Sequence, residues 1–101
     1  MDLTNRRIAF HNLLLNMGTN NVYYQPPSSM KYPCILYERD KIDNRSADDS
    51  IYKQDTRYSV TVISKKADDI IVDNVSKIPQ CEYDREFKSE NLYHTVFNIY
   101  Y

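Results

Sequence analysis

A period-two alternation of apolar and polar side chains runs from Thr56 to Ile63, and it constrains the fold more than any other feature of the sequence. Tyr58, Val60 and Val62 point to one face of an extended chain, and the polar residues between them point to the other. This alternation is typical of a strand with one buried face. The sequence therefore predicts a sheet that is covered on one side.

Two segments show helical periodicity instead. Residues 3–17 place apolar side chains at helical spacing, and Gly18, the only glycine of the chain, follows directly as a helix stop. Residues 70–78 repeat the pattern, with Asp68 and Asp69 at the start and Pro79 at the end. Two helices are therefore expected, one on each side of the central strand in the sequence.

Further strands are predicted around these elements, at residues 22–24, 34–37, 82–87 and 92–101. The double proline after the first strand places that strand at a sheet edge, because proline cannot donate to a ladder. The order is helix, strand, strand, long loop, strand, helix, strand, strand. It predicts one α+β domain over residues 1–101, with a mostly antiparallel sheet of four to five strands and two helices packed on one face.

The segment from Glu38 to Asp55 reads ERDKIDNRSADDSIYKQD, and more than half of its residues are charged. It is predicted to be a long charged loop at about residues 40–54. Unstructured loops of this length are uncommon in small domains and are usually functional or disordered. Two interpretations stay open: a surface that contacts a partner, and a mobile solvated loop without one.

Composition narrows the function classes. Thirteen basic and fourteen acidic residues give a net charge of −1, so the chain as a whole has no electrostatic footprint for nucleic acid. No apolar run is long enough for a membrane span, and the N-terminus does not resemble a signal peptide, so a cytosolic protein is expected. Ten tyrosines suit either strands or protein interfaces.

Candidate chemical groups are few. His11 and His94 are isolated in the sequence, and Cys34 and Cys81 are expected to be small buried hydrophobic residues rather than a disulfide or a zinc site. The pair Asp48-Asp49 is expected to be solvated, and a chain with one glycine has no phosphate-binding loop. The sequence thus predicts a binding protein that is not an enzyme and uses no metal and no cofactor.

Three segments together resemble a known family: NVYYQPPSSMKYPCILYERD, IDNRSADDSIYKQDTRYSVTVI and LYHTVFNIYY, in this order and after a helix. They are similar to the small tail terminator (tail completion, head-tail joining) proteins of long-tailed bacteriophages. The resemblance covers nearly the whole chain. It depends on the combination of the tyrosine-rich strand before QPP, the YPCILYE strand, the Asp/Asn-rich segment before YKQ, and the aromatic final strand.

The resemblance implies a structural virion protein in the neck region of the tail, assembled in the host cytoplasm. Proteins of this family assemble as a hexameric ring on the head-proximal end of the tail tube. The ring stops polymerisation of the major tail protein and joins the tail to the connector or stopper of the filled head. DNA passes through the lumen without specific binding.

The charged loop is then expected to contact the neighbouring subunit or the last ring of the tail tube. The expected contact residues are Asp43, Arg45, Asp48, Asp49, Tyr52 and Lys53, with Tyr100 and Tyr101 as a second, weaker contact. Two other functions stay open. One is another neck component, a connector or stopper that binds the portal side, and the other is a phage regulatory protein.

Overall fold

The chain forms two helices and five strands. The computed structural model describes residues 3–46 and 52–101; in the strands that end at residue 46 and begin at residue 52, side chains are described up to residue 43 and from residue 55. In chain order, the elements are α1 (Leu3–Leu14), β1 (Val22–Tyr24), β2 (Cys34–Ser46), β3 (Tyr52–Ser64), α2 (Ile70–Ser76), β4 (Cys81–Ser89) and β5 (Leu92–Tyr100).

The strands form one sheet in the order β1-β2-β3-β5-β4. Neighbouring strands are antiparallel from β2 to β4, and β1 pairs parallel to β2 through the register Val22 with Ile35. The predicted α+β class and mostly antiparallel sheet are confirmed, and the number of strands is five.

Both helices pack on the same face of this sheet. Apolar side chains alternate along the strands, so one face presents Tyr37, Val60 and Phe97 across three adjacent strands. These residues form one buried cluster with Phe10 and Leu14 of α1 and with Ile71 and Val75 of α2. The prediction that Tyr58, Val60 and Val62 share a buried face is confirmed, because all three are fully buried.

The predicted loop at residues 40–54 is wrong for the residues that are described. Strand β2 continues to Ser46, β3 begins at Tyr52, and the two pair along this whole length. The period-two signal fails here for a physical reason. Side chains alternate in polarity only when one strand face is buried, and a two-stranded ribbon in solvent can be polar on both faces. Backbone pairing between β2 and β3 supplies the hydrogen bonds that the side-chain pattern does not reveal.

Strand β1 is an edge strand of the sheet, as the sequence predicted, and it ends at Tyr24. Gln25 has a positive φ of 67°, its N–H donates to the C=O of Tyr37 over 3.0 Å, and the double proline follows. The chain therefore turns away from β2 after Tyr24. Beyond Tyr37, the outer side of β2 has no strand beside it among the described residues.

The ends of α1 and of the last hairpin are set by local geometry. Helix α1 ends at Leu14, three residues before the predicted end, and Gly18 lies in the following turn at a φ of +121°. In the turn between β4 and β5, Glu90 and Asn91 both have positive φ, at 52° and 64°. Two such residues give the hairpin turn whose twist matches the flanking strands.

Candidate interaction surface

The most prominent surface feature is a two-stranded extension of the sheet. Pairing between β3 and β5 begins at Arg57, whereas pairing between β2 and β3 continues outward to Ser46 and Tyr52. Residues 41–46 and 52–56 therefore form a ribbon, and no third strand of the described residues lies beside it. Six residues of strand span about 20 Å, and the whole molecule measures 52 × 23 × 21 Å along its principal axes.

Polar contacts tie the base of the ribbon to the body. The register of β2 against β3 shifts between Arg39 and Lys41, which makes Asp40 the extra residue of a bulge. Arg57 donates to both carboxylate oxygens of Asp40, over 3.0 and 3.2 Å. This bidentate contact raises the pKa of Arg57, chiefly through the hydrogen bond to Asp40. The bulge and the ion pair together set the direction in which the ribbon leaves the sheet.

Thr56 is the buried anchor of the same junction. Its side chain is 1 % exposed, and Arg6 of α1 donates to its hydroxyl oxygen over 2.7 Å. Its carbonyl oxygen accepts from the N–H of Tyr101 over 3.0 Å. Helix α1, β3 and the C-terminal residue therefore meet at the point where the ribbon begins.

The structure places the predicted contact residues only in part. Asp43 lies in the ribbon, where Lys41 pairs with its carboxylate at 3.3 Å and both side chains are more than 40 % exposed. Arg45, Tyr52 and Lys53 have their backbones in the ribbon strands. Asp48 and Asp49 lie outside the described residues. The structure thus brings Asp43, Arg45, Tyr52 and Lys53 onto one ribbon.

The second predicted contact lies at the other end of the ribbon. Tyr100 pairs with Arg57 in the sheet register, and the Tyr101 ring packs against Phe10 with 5.0 Å between ring centroids. Tyr101 stays 43 % exposed. The backbone of Tyr100 is therefore separated along β3 from the backbones of Tyr52 and Lys53.

Sequence reasoning missed the second open side of the sheet. Strand β4 pairs only with β5, and every residue from Glu82 to Ser89 is exposed. Phe87 is 43 % exposed and stacks on His94 at 4.7 Å, and the Arg85 guanidinium lies 5.7 Å from the Phe87 ring centre. The mixed charges of residues 82–88 did not suggest an edge, because an edge strand is defined by the neighbour that it lacks.

The face of the sheet opposite the helices is partly shielded, because Ile63 and Val96 on it are only 3 % exposed and its other central residues are half-buried. It presents residues of mixed polarity on the three central strands: Leu36, Ser59, Thr61, Ile63, His94, Val96 and Asn98. A shallow cleft of about 180 Å³ lies at its β1 side, lined by Pro26, Leu36, Glu38 and Thr61 among others. The cleft is adjacent to the point where β1 leaves β2.

Two side chains that could carry chemistry, those of His11 and Cys34, pack against or within the core. His11 Nδ1 lies 2.7 Å from the Tyr37 hydroxyl oxygen, and burial followed by the charge of Arg7 lowers the pKa of His11. Both cysteines are free thiols, and burial raises the pKa of Cys34 to about 11. Among the described residues, no group of three or more His, Cys, Asp or Glu side chains could hold a metal ion.

Comparison with known proteins adds no family. No protein-family model matches the chain, and no curated protein matches it in sequence. No helix in the described part of the chain is long and apolar enough to cross a membrane.

Proposed function

We propose that this chain is the subunit of a ring that caps the head-proximal end of a phage tail tube. The ring stops polymerisation of the major tail protein and then binds the connector or stopper of the filled head. The family resemblance of the sequence supplies this function. The ribbon is the single structural observation that carries the proposal.

The ribbon suits contact with a neighbouring molecule because its described side chains at residues 41–43 are not part of the buried core. Ile42 lies on the ribbon and is 41 % exposed, and the ion pair between Lys41 and Asp43 is solvated on both sides. An isolated two-stranded ribbon gains little stability by itself in water. A ribbon of this kind reaches about 20 Å beyond the body, which is far enough to cross onto an adjacent subunit or tube ring.

The junction supports the same role. The bidentate pair between Arg57 and Asp40 and the buried hydroxyl of Thr56 hold the ribbon base in one direction. A projecting element with a fixed base loses less conformational entropy on binding than a free loop does. The charged side chains of the ribbon would set register with a partner more than they would set affinity.

A shortened ribbon tests the proposal. Replacing residues 44–54 by Asn-Gly joins Asp43 to Asp55 through a favoured two-residue turn and leaves the pairing of β3 with β5 intact. We expect the shortened protein to fold with an unchanged thermal midpoint of its body and to lose assembly onto tails. The matched control is Lys41→Ala, which removes one solvated ion pair and keeps the ribbon length.

The readout is electron microscopy of particles made with and without the protein. Tails that overrun their length, or that reach it and fail to join heads, are expected when the protein is missing or shortened. Joined tails of normal length without the protein would overturn the proposal. Binding to portal-side proteins with no binding to tail tubes would move the protein to a connector or stopper position.

A further inference from the structure

The sheet has two open edges on opposite sides. The first, the β2 edge, is the outer side of residues 38–46, because β1 pairs with β2 only at residues 35–37. The second, the β4 edge, is the outer side of residues 81–89, because β4 ends the sheet. Both edges are nine residues long, and neither has a backbone partner among the described residues. Open edges of this length are templates for pairing with another strand.

The direction of the backbone groups on the β2 edge follows from one hydrogen bond. The C=O of Thr56 accepts from Tyr101, so the backbone groups of Thr56 face β5. Ile42 is the partner of Thr56 in the antiparallel register. Two opposed residues of an antiparallel pair either both face each other or both face away. The N–H and C=O of Ile42 therefore point away from β3, to the open side.

The hydrogen bond between Tyr101 and Thr56 also gives the direction of the backbone groups on the β4 edge. Tyr101 faces β3, and backbone direction alternates along β5, so Thr95 and Phe97 also face β3. Their partners on β4 are Glu86 and Tyr83. Glu86 and Tyr83 therefore present their N–H and C=O groups to the open side. Each edge thus offers a row of unpaired backbone donors and acceptors.

The order of strands makes the two edges fit each other. From one edge to the other the strands are β2, β3, β5 and β4, and each is antiparallel to the next. Strand β4 therefore runs in the opposite direction to β2. Ile42, Tyr83 and Glu86, whose backbone groups point to the open sides, all have register positions on the sheet face that carries the helices. A second copy in the same orientation can therefore pair its β2 edge antiparallel to the β4 edge of the first. The helix layers of both copies then lie on the same side.

The side chains along the edges also favour this contact. Three of the exposed large hydrophobic side chains flank the edges: Ile42 at 41 %, Tyr83 at 60 % and Phe87 at 43 % exposure. Strand addition would cover them. Both edges carry side chains of both charge signs. Such charges disfavour non-specific pairing of free subunits, and matching of opposite charges would set the register of one edge strand against the other.

We infer that copies of this chain join edge to edge, with β4 of one subunit adding antiparallel to the β2 edge of the next. The inference rests on the proposed ring and names its subunit contact. Contacts of this kind are head-to-tail, so they repeat until the assembly closes. Because β1 covers β2 as far as Tyr37, adjacent subunits are offset along the strand direction, which tilts the strands relative to the ring axis.

Cysteine pairs test the contact directly. In a Cys81→Ala background, Ile42→Cys is combined with Tyr83→Cys or with Glu86→Cys, and each protein is oxidised at high concentration and on tails. We expect a ladder of covalent oligomers from at least one pair. The matched control combines Ile42→Cys with Ile70→Cys, whose position at the first residue of α2 is 63 % exposed and lies in the helix layer, outside both edge strands. The control pair is expected to give no ladder.

Backbone substitution gives a second readout. Glu86→Pro removes one outward N–H and no hydrogen bond to β5, so the isolated subunit is expected to keep its circular dichroism and to lose assembly. Glu86→Ala removes the same side chain but keeps the N–H, and it is expected to assemble like the unaltered protein. If Glu86→Pro does not fold, the cysteine pairs decide.

The outcomes separate the inference from the proposed function. Rings that form on tails without an edge cross-link, and that tolerate Glu86→Pro, would overturn the edge contact and keep the terminator role. If edge-linked oligomers form but removal of the protein changes neither tail length nor joining to heads, the result would support the edge contact and overturn the terminator role. A protein that assembles neither in solution nor on tails overturns both.

Discussion

Cys34 is a fully buried thiol on β2, and its burial has a consequence at alkaline pH. Burial raises the pKa of Cys34 to about 11, whereas its ordinary value is 9.0. Between these values the unfolded chain loses the proton before the folded chain does. The free energy of unfolding is therefore expected to fall as the pH rises above 9.

Substitution of the thiol tests the same burial at neutral pH. Cys34→Ser introduces a hydroxyl that must hydrogen-bond in an apolar site, which is expected to cost about 1–3 kcal/mol of stability in urea unfolding. Cys81 is only partly buried, so Cys81→Ser serves as the matched control with a smaller loss. An equal loss from both substitutions would show that burial of Cys34 is not the cause.

His11 predicts a second pH dependence, of opposite direction. Burial, and then the charge of Arg7, lowers the pKa of His11 from its ordinary value of 6.5. Below that value the unfolded chain binds the proton more readily than the folded chain does. Stability is therefore expected to fall as the pH decreases through 6.5.

The measurement is urea unfolding of the unaltered protein and of His11→Asn across this pH range. The variant is expected to lose the part of the pH dependence that His11 contributes. His94→Asn is the control, because the His94 side chain contacts Phe87 at the hairpin and lies far from Tyr37 in the sheet register. A pH dependence that persists unchanged in His11→Asn would refute this origin.

At the scale of elements, one aromatic side chain docks α1 on the sheet. Phe10 stacks on Tyr58 at 4.5 Å, meets Tyr37 edge-on at 5.6 Å and packs against Tyr101 at 5.0 Å between ring centroids. Phe10→Ala is expected to destabilise the protein by about 3–5 kcal/mol. Since small domains have only about 5–15 kcal/mol of stability in total, thermal melting should show a large drop in the midpoint.

Ile8 on the same helix provides the control. Its side chain is 46 % exposed, so Ile8→Ala is expected to change stability by no more than about 0.5 kcal/mol. Similar losses from Phe10→Ala and Ile8→Ala would mean that general helix stability, and not the aromatic contact, holds α1 in place.

At the scale of the whole molecule, the body and the ribbon should differ in local stability. The backbones of Asp43 and Asp55 pair in the ribbon, and those of Leu36 and Thr61 pair in the body between the same two strands. In the part of the chain that the structure describes, no third strand pairs with the ribbon at Asp43 and Asp55, whereas β5 pairs with β3 at Thr61. Amides of Asp43 and Asp55 are therefore expected to exchange with deuterium at least about tenfold faster than those of Leu36 and Thr61.

Hydrogen exchange followed by NMR measures this difference. Both residue pairs belong to the same two strands, so the pair in the body serves as the control for the pair in the ribbon. Equal protection of the two pairs would show that the ribbon opens only with the whole domain. Addition of assembled tails is expected to slow exchange at Asp43 and Asp55 if the proposed contact forms.

Much of the fold followed from side-chain periodicity. Tyr58, Val60 and Val62 alternate because a helix layer covers one face of β3, and α2 was recognised from Ile71, Val75 and Pro79. The ribbon was predicted as a loop because the polarity of Lys41 through Gln54 carries no trace of a buried face. The predicted contact residues Asp43, Arg45 and Lys53 lie on the ribbon, whereas the sequence did not point to Arg57 and Thr56, which hold the ribbon base through partners elsewhere in the chain.

The sequence by itself determined the two helices, the α+β class and the buried face of β3, because these depend on side-chain polarity within a short segment. Only the tertiary structure decided which strands are neighbours, that β2 and β3 extend as a paired ribbon, and that β4 and the outer half of β2 remain open. These features depend on backbone hydrogen bonds between distant segments. Backbone groups are nearly the same for every residue, so a sequence of side chains does not record their pairing.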